Sequence, residues 1–335
     1  MSYYPGRSPR YTPPDSFPLG RHPRSWEPAP SEKPNTTLSN VSSSPYPYRN
    51  SDSYSVYGSD SACCRLSGGR VRMRGELCIS LASLLSLTSM ILLALIYAGQ
   101  TNSSSVAGSI SMARIDLSSY HEVLFSAFEG VIPIEGLYAS DGASRLGNGT
   151  GLRHEYRFGV TNYCGYVESE NEFSGRCARQ ATASQFRPFS IIKSDMPLNY
   201  SQFINAVVPP SNFRNDVLLG SFSRTAGYMF LLAFIFVGLS LILGLAKVNF
   251  TFLLSTLFSI LSCIFLLLGA ILWTVAVKKA QVINGMTITT TPVANPTPIG
   301  IEVSLGVGLK LAWAAFGLMM AANIPYLISC CTYRG

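Results

Sequence analysis

The chain has 335 residues, of which 47% are hydrophobic and only 13% are charged. Soluble domains usually carry about 25% charged residues, so the composition indicates a membrane protein and argues against an ordinary soluble enzyme. The formal net charge of +7 would suit a nucleic-acid-binding protein, but four arginines cluster just before the first apolar run. We interpret them as a membrane-topology signal and expect no nucleic-acid partner.

The first segment, residues 1–76, precedes the first apolar run. Residues 1–62 are rich in Pro, Ser, Tyr, Arg and Gly and show no apolar periodicity. Such a stretch buries too little apolar surface to offset the entropy lost on ordering, so we predict a disordered cytoplasmic tail. Because no apolar stretch follows the first residues, the first membrane run is expected to act as the insertion signal.

Cysteines and arginines lie together at the edge of the first apolar run. The residues are Cys63, Cys64, Arg65, Arg70, Arg72 and Arg74. An arginine near an anionic leaflet contributes about 1 kcal/mol of attraction, and thiols at a membrane edge are candidates for palmitoylation. Two interpretations stay open for the arginines: contact with anionic lipids of the inner leaflet, or an orientation signal alone. Cys330 and Cys331, beyond the last run, are further palmitoylation candidates.

Four apolar runs are each long enough to cross the roughly 30 Å hydrocarbon layer as a helix. Lipid offers the backbone no hydrogen-bond partner, so such runs are stable there only as helices. The predicted spans are 77–98, 225–247, 250–277 and 305–329. They leave a long loop (99–224), a second loop (278–304) and a short end (330–335). The predicted fold is therefore mainly α, a four-transmembrane-helix bundle with a small loop domain that contains β-structure.

The charge distribution predicts the orientation of the four spans. Arginines precede the first span and Lys247 separates the second from the third. The positive-inside rule then places both termini in the cytoplasm and both long loops outside. Three glycosylation sequons in the first loop, at Asn102, Asn148 and Asn199, agree with this orientation.

Parts of the long loop carry patterns of regular structure. Partly alternating apolar residues at 110–117 and 155–160 predict strands, and 201–208 predicts a short helix. Cys164 and Cys177 are the two cysteines in a long polar segment, which predicts a disulfide between them. A bridge of about a dozen residues contributes on the order of 3 kcal/mol. We expect a small extracellular sheet held by one bridge.

The sequence carries no familiar catalytic or metal-binding signature. The histidines, His22, His121 and His154, are scattered along the chain. Three alternating glutamates, at positions 168, 170 and 172, lack the spacing of a calcium loop and are better explained as solvated charges. We therefore predict no catalytic residues, no cofactor and no metal site.

The last span has two pairs of small residues at helical spacing. Gly308 precedes Ala312 by four positions, and Gly317 precedes Ala321 by four. Such pairs allow another helix to approach closely within the membrane. Trp313 in the same span is placed to anchor it near the outer interface.

Several segments resemble one family. The run from Phe158 to Tyr166, followed by Arg176-Cys177-Ala178, resembles the Gly-Leu-Trp-x-x-Cys...Cys signature of claudins and their fungal relatives. Residues 304–315 look like the closing helix of the fungal family that groups PalI with the cortical-patch (Sur-seven) proteins, and 111–119 is similar to its short Asp-containing motif. The resemblance covers 77–331 and assigns motif positions to Gly159, Tyr163, Cys164, Cys177, Asp116 and Trp313.

The resemblance implies a claudin-like tetraspan fold and a place in the plasma membrane. Val160 and Thr161 replace the Leu-Trp of claudins, which argues against junctional adhesion. PalI-type members are expected to carry a long cytoplasmic C-terminal tail, whereas this sequence ends at Gly335, so the cortical-patch branch is the closer match. That branch implies a stable eisosome-type membrane domain linked to cell-wall integrity, lipid organisation and control of endocytic sites. Implied partners are membrane lipids, further copies, other tetraspan or eisosome proteins, and the cell wall.

Two functional hypotheses follow. The first is a non-enzymatic tetraspan organiser of plasma-membrane domains, which self-associates laterally. The alternative is a sensor or accessory subunit for ambient pH or calcium entry, with the outer loop as receptor and His121 and His154 among its titratable groups. A membrane-embedded enzyme or pore is the least supported hypothesis, since no charged residue lies deep in any span.

Overall fold

The computed structural model describes residues 74–127, 136–168, 173–178, 181–202, 204–245, 249–288 and 297–332. The predicted tail therefore lies outside the described residues. The same is true of the palmitoylation candidates Cys63 and Cys64 and of three of the four arginines, namely Arg65, Arg70 and Arg72. Arg74 begins the first helix, and Cys330 and Cys331 fall in the last turn of the last one.

The described residues form nine α-helices. They are α1 (Arg74–Ala98), α2 (Ser105–Ser109), α3 (Tyr120–Ala127), α4 (Pro188–Asp195), α5 (Leu198–Ser201), α6 (Ile204–Val207), α7 (Asp216–Leu245), α8 (Asn249–Ala280) and α9 (Val307–Thr332). Four of them, α1, α7, α8 and α9, are long and apolar enough to cross a membrane. The chain is thus a multi-pass membrane protein built around four apolar helices.

Each of the four long helices extends beyond its predicted span at one end or both, and α7 does so most. Helix α7 begins at Asp216, well before position 225, and α8 continues to Ala280. The early turns of α7 bury Leu219 and Ser223 against the loop domain, where the Ser223 hydroxyl accepts a hydrogen bond from the Phe186 N–H at 2.7 Å. Packing beyond the apolar run therefore extends the helix, which hydropathy alone does not reveal.

The four long helices pack in a closed ring. Helix α7 lies against α8 and α1 against α9, and contacts of α8 with α9 and of α1 with α7 complete the ring. Small side chains let the helices approach: a Cβ added at Gly269 of α8 would come within 2.8 Å of the Phe230 ring of α7. Hydroxyls link the helices too, since Ser255 donates to the Ser240 carbonyl at 2.8 Å. Close packing and interhelical hydrogen bonds are what hold helices together in lipid.

The loops form an antiparallel sheet. The strands are β1 (Ala113–Asp116), β2 (Glu155–Phe158), β3 (Tyr163–Glu168), β4 (Phe173–Cys177), β5 (Thr287–Ile288), β6 (Thr297–Pro298) and β7 (Glu302–Leu305). Five of them form one sheet in the order β4-β3-β2-β1-β7, and β5 pairs with β6. Strands β1 and β2 lie within the two predicted strand segments. We call the five-stranded sheet together with α2 to α6 the sheet domain.

Strand β7 lies at the end of the segment that the sequence analysis assigned to the second loop. It pairs with β1 and continues through Gly306 into α9. Its outer edge is covered by side chains: the Val303 N–H donates to Asn284 Oδ1 at 2.8 Å, and Asn284 Nδ2 donates to the Val303 carbonyl at 2.9 Å. The amide of Asn284 thus replaces a neighbouring strand at this edge and protects it from pairing with another chain.

The sheet domain and the helices share one hydrophobic core. The ring centroids of Phe158 in β2 and Phe186 lie 4.8 Å apart, and those of Phe186 and Trp273 in α8 lie 5.9 Å apart. Polar contacts join the same regions, since the Gly308 N–H of α9 donates to the Ser111 carbonyl at 2.7 Å. The sheet domain is therefore packed directly on one end of the helix ring.

Candidate functional site

The predicted disulfide is present. Cys164 and Cys177 are directly opposite each other in the β3–β4 register and are joined by a disulfide bond. They lie at the open end of the hairpin, close to its entry and exit residues Tyr163 and Ala178. The bridge fixes this end of the hairpin next to the helix ring.

Gly159 lies where two backbones approach closely. A Cβ at this position would come within 3.0 Å of the Gly99 carbonyl and of the Gln100 side chain. Gln100 is fully buried with a positive φ of 60°, and its Nε2 donates to the Gly108 carbonyl at 2.8 Å. The motif glycine therefore admits the turn that joins α1 to α2. Sequence reasoning missed Gln100, because nothing in its residue type or neighbours signals this role.

The other family-motif positions are distributed over three places. Tyr163 stacks on Phe158 beside the disulfide, with ring centroids 5.6 Å apart. Asp116 lies at the opposite end of the sheet, where its Oδ1 accepts the Ser118 N–H at 2.9 Å. Trp313 lies on α9 with 38% of its surface exposed, and its Nε1 donates to Thr274 Oγ1 at 3.2 Å. Only Gly159, Tyr163 and the two cysteines gather at the hairpin base.

A cavity of about 410 Å³ opens at this hairpin base. We call it the hairpin cavity. Its walls are Arg145, Leu146, Asn148, Tyr163, Arg176, Cys177 and Ala178. It thus combines two guanidinium groups, a sequon asparagine and the motif residues Tyr163 and Cys177.

A buried polar network holds the loop that forms one wall of this cavity. Arg153 is fully buried, and its guanidinium donates to the carbonyls of Asp141 at 2.6 Å and of Ser144 at 2.8 Å. Asp195, only 1% exposed, accepts hydrogen bonds from the Gly147 N–H and from the Tyr156 hydroxyl. Burial raises the pKa of Asp195 and raises that of Tyr156 well above its ordinary value.

A second cavity, of about 350 Å³, lies at the other end of the sheet. It is lined by Asp116, Ser118, Ser119, Asn284, residues 298–301 and Glu302. Asp116 and Glu302 are paired across β1 and β7. Among the described residues no group of three His, Cys, Asp or Glu side chains is placed to hold a metal ion.

Two histidines that are far apart in sequence flank one tyrosine. The Tyr138 ring stacks on the His154 ring with centroids 4.4 Å apart, and it contacts the His121 ring edge-on with centroids 5.8 Å apart. Nδ1 of His154 accepts the backbone N–H of Glu168 at 3.3 Å. Partial burial lowers the pKa of His154, and His121 lowers it further, while Glu168 and Asp116 act in the opposite direction. Sequence analysis treated these histidines as scattered, and no local pattern signalled that they meet.

The three glycosylation candidates in the long loop have exposed side chains. Asn102 precedes α2, Asn148 lines the hairpin cavity and Asn199 lies in α5. Their accessibility suits an oligosaccharide acceptor. Glycosylation itself stays a prediction.

The fold and the hairpin base agree with the outcome of comparison with known families. The model of the SUR7/PalI family matches residues 78–331, a stretch that includes the candidate membrane spans of all four helices and the whole sheet domain. This chain belongs to the SUR7/PalI family. A search of curated proteins finds no match. SUR7/PalI proteins are tetraspan membrane proteins and are not known as enzymes, and the match spans both branches, so the branch stays a prediction.

Proposed function

We propose that this SUR7/PalI protein is a non-enzymatic organiser of cortical, eisosome-type domains of the plasma membrane. In this proposal it supports cell-wall integrity, lipid organisation and control of endocytic sites. Both termini face the cytoplasm, and the sheet domain faces the cell wall. Copies associate laterally with one another or with other tetraspan or eisosome proteins.

One observation carries the proposal beyond family membership: a row of small residues on α9 faces away from the helix ring. Gly308 and Ala312, the first predicted pair, pack inside, where Gly308 meets the Ser111 backbone. Gly317 and Ala321, the second pair, are exposed, and a Cβ added at Gly317 would meet nothing within 4 Å. One pair therefore serves the fold, and the other is available to a helix of a neighbouring molecule.

The membrane edge on the cytoplasmic side adds a second means of retention in the proposal. Arg65, Arg70, Arg72 and Arg74 contact anionic lipids of the inner leaflet, and Cys63, Cys64, Cys330 and Cys331 are palmitoylated. Acyl chains and a polybasic patch reinforce each other at a membrane surface. Together they concentrate the protein in particular lipid domains.

Fluorescence recovery after photobleaching of a tagged copy tests the proposal. We expect patches that exchange slowly with the surrounding membrane, and faster recovery for Gly317→Leu, because the larger side chain prevents close helix approach. Gly238→Leu on α7 is the matched control, since a Cβ there also meets nothing within 4 Å. Rapid and uniform recovery of the unmodified protein would count against the proposal, as would equal effects of the two variants.

The paired histidines support a second candidate function, sensing of ambient pH. Protonated His154 can no longer accept the Glu168 N–H, so acidification weakens the link between the loop and the end of β3. The test is the response to a change in ambient pH between acidic and neutral of cells that carry His121→Gln with His154→Gln. If those cells respond normally while cells lacking the protein do not, the histidines are not the sensor.

A further inference from the structure

The hairpin cavity carries positive charge without a compensating acid in its lining. Arg145 and Arg176 both line it, and among the residues that the structure describes no Asp or Glu lines it. Arg176 donates to the Ala143 carbonyl, which holds its side chain across the loop. Within the described part of the chain, the Arg145 guanidinium has no hydrogen-bond or ion-pair partner. A charged group without a partner in a concave site is available for an anionic ligand.

The walls of the cavity are fixed by contacts that do not involve a ligand. On the loop side, the buried guanidinium of Arg153 holds the Asp141 and Ser144 carbonyls, and Thr150 Oγ1 donates to the Arg145 carbonyl at 3.2 Å. Leu146 packs on Gly165, where an added Cβ would lie 3.0 Å from its side chain. A site whose walls are already ordered loses little entropy when it binds.

The hairpin side is fixed as well. The Ala178 N–H donates to the Tyr163 carbonyl at 2.9 Å, and Asn162 Nδ2 donates to the Ala178 carbonyl at 2.6 Å. The disulfide holds Cys177 in place. The carboxylate of Asp195 interacts electrostatically with Tyr163. It is buried and already accepts hydrogen bonds from the Gly147 N–H and the Tyr156 hydroxyl.

The cavity lies close to the membrane boundary. Thr161, two residues before Tyr163, donates to the carbonyl of Tyr97 in the last turn of α1 at 3.4 Å. Two residues of chain span at most about 7 Å, which matches the thickness of the headgroup region on one side of a bilayer to within a few ångströms. The Tyr97 hydroxyl in turn donates to the Gly227 carbonyl of α7, at the start of the apolar run. Tyr97 thus links the hairpin base to the ends of the apolar runs of α1 and α7, where the headgroup region is expected.

We propose that the hairpin cavity binds the phosphate group of a membrane phospholipid, with Arg145 and Arg176 as the charged contacts. The planar guanidinium donates two parallel hydrogen bonds to phosphate oxygens. The Tyr163 hydroxyl, which also lines the cavity, supplies a further donor. Burial raises the pKa of Tyr163 to about 12, so this hydroxyl keeps its proton at physiological pH. Phosphate binding in the hairpin cavity requires that the protein is embedded in a membrane but not that copies associate laterally. Either proposal can therefore fail while the other holds.

The test measures binding of short-chain phosphatidic acid to the full chain in a non-ionic detergent by isothermal titration calorimetry. Inorganic phosphate and a diacylglycerol with the same acyl chains are titrated in parallel to separate the phosphate from the lipid. The protein is produced in cells whose N-glycosylation is blocked, so that Asn148 remains an unmodified amide. Arg145→Gln and Arg176→Gln are the test variants. Lys278→Gln, which removes an exposed charge at the end of the third span outside the cavity, is the control.

We expect phosphatidic acid to bind more tightly than inorganic phosphate and diacylglycerol not to bind. Each arginine variant should weaken phosphatidic acid binding at least about tenfold, the ratio expected for loss of one charge-assisted hydrogen bond. The control should bind like the unmodified protein. Three outcomes would each overturn the proposal. They are an affinity for inorganic phosphate equal to that for phosphatidic acid, measurable binding of diacylglycerol, and an equal loss of phosphatidic acid affinity in Lys278→Gln and Arg145→Gln. Arg176→Gln serves if Arg145→Gln does not fold.

Discussion

At the scale of single residues, buried polar groups decide the conformation of the long loop. Arg153 and Asp195 are both inside the sheet domain, and each is held by hydrogen bonds to the segment between residues 141 and 151. Gly147, Gly149 and Gly151 in that segment all have positive φ, which other residues adopt only at a cost. A buried polar group stabilises a fold only when its partners are present.

Substitution of Asp195 by alanine tests this network. The variant leaves the Gly147 N–H and the Tyr156 hydroxyl without their acceptor. We expect the free energy of unfolding to fall by about 2–3 kcal/mol, measured by denaturant titration with tryptophan fluorescence. Lys193→Ala, an exposed change on the same helix, should alter it by less than about 0.5 kcal/mol. Equal losses for the two variants would show that the network is not stabilising.

The lowered pKa of His154 predicts a pH dependence of stability. Because the folded protein favours neutral His154, the stabilisation is complete above the ordinary histidine pKa of about 6.5 and is lost as the pH falls below it. Tyr138, His121, Asp116 and Glu168 face this histidine. We expect the unmodified protein to lose more stability between about pH 7 and pH 5 than His154→Gln does. Parallel pH profiles of the two proteins would contradict this assignment.

At the scale of elements, the helices were predictable and part of the sheet was not. Long apolar runs with few charged residues determine α1, α7, α8 and α9, because lipid permits no other spanning structure for them. Strand β7 was missed although Ile299, Ile301, Val303 and Leu305 alternate. Its partner β1 lies far away in sequence, and alternation over a few residues does not reveal such a partner.

The same distinction applies to the candidate site. The cysteine pair was predictable, because two cysteines in one polar segment have few alternative partners. Arg153 and Asp195 were not, since charged residues in loops are usually solvated. His121 and His154 come together only through their contacts with the Tyr138 ring, which is tertiary information.

The protected edge of β7 gives a prediction at the element scale. Asn284→Ala removes both hydrogen bonds that its side chain makes with Val303. We expect a loss of about 1–2 kcal/mol in the free energy of unfolding and faster amide exchange at Val303. Gln281→Ala removes only one hydrogen bond, the 3.2 Å contact from Gln281 Nε2 to the Val303 carbonyl. It should therefore lower the free energy of unfolding by less. If Gln281→Ala has the larger effect, Asn284 does not act as the substitute strand.

At the scale of the whole molecule, the sheet domain and the four helices act as one packed body. The β7–α9 continuity, the Gly308–Ser111 hydrogen bond and the Phe158–Phe186–Trp273 contacts all cross between them. In the proposed function, a ligand or wall contact on the sheet domain would act directly on the helices, whose outer surface includes the exposed Gly317. This coupling suits a protein that positions membrane components relative to the cell surface.

The proposed organiser function places the sheet domain at the cell wall, which requires that this domain lies outside the cytoplasm. Glycosylation mapping measures this directly, by the gel shift that an endoglycosidase produces in the unmodified chain and in sequon variants. We predict a shift that disappears when Asn102, Asn148 and Asn199 are all changed to glutamine, although the tail sequons at Asn35 and Asn40 remain intact. A shift that persists in the triple variant and is lost only on changing Asn35 and Asn40 would place the tail outside and contradict the account.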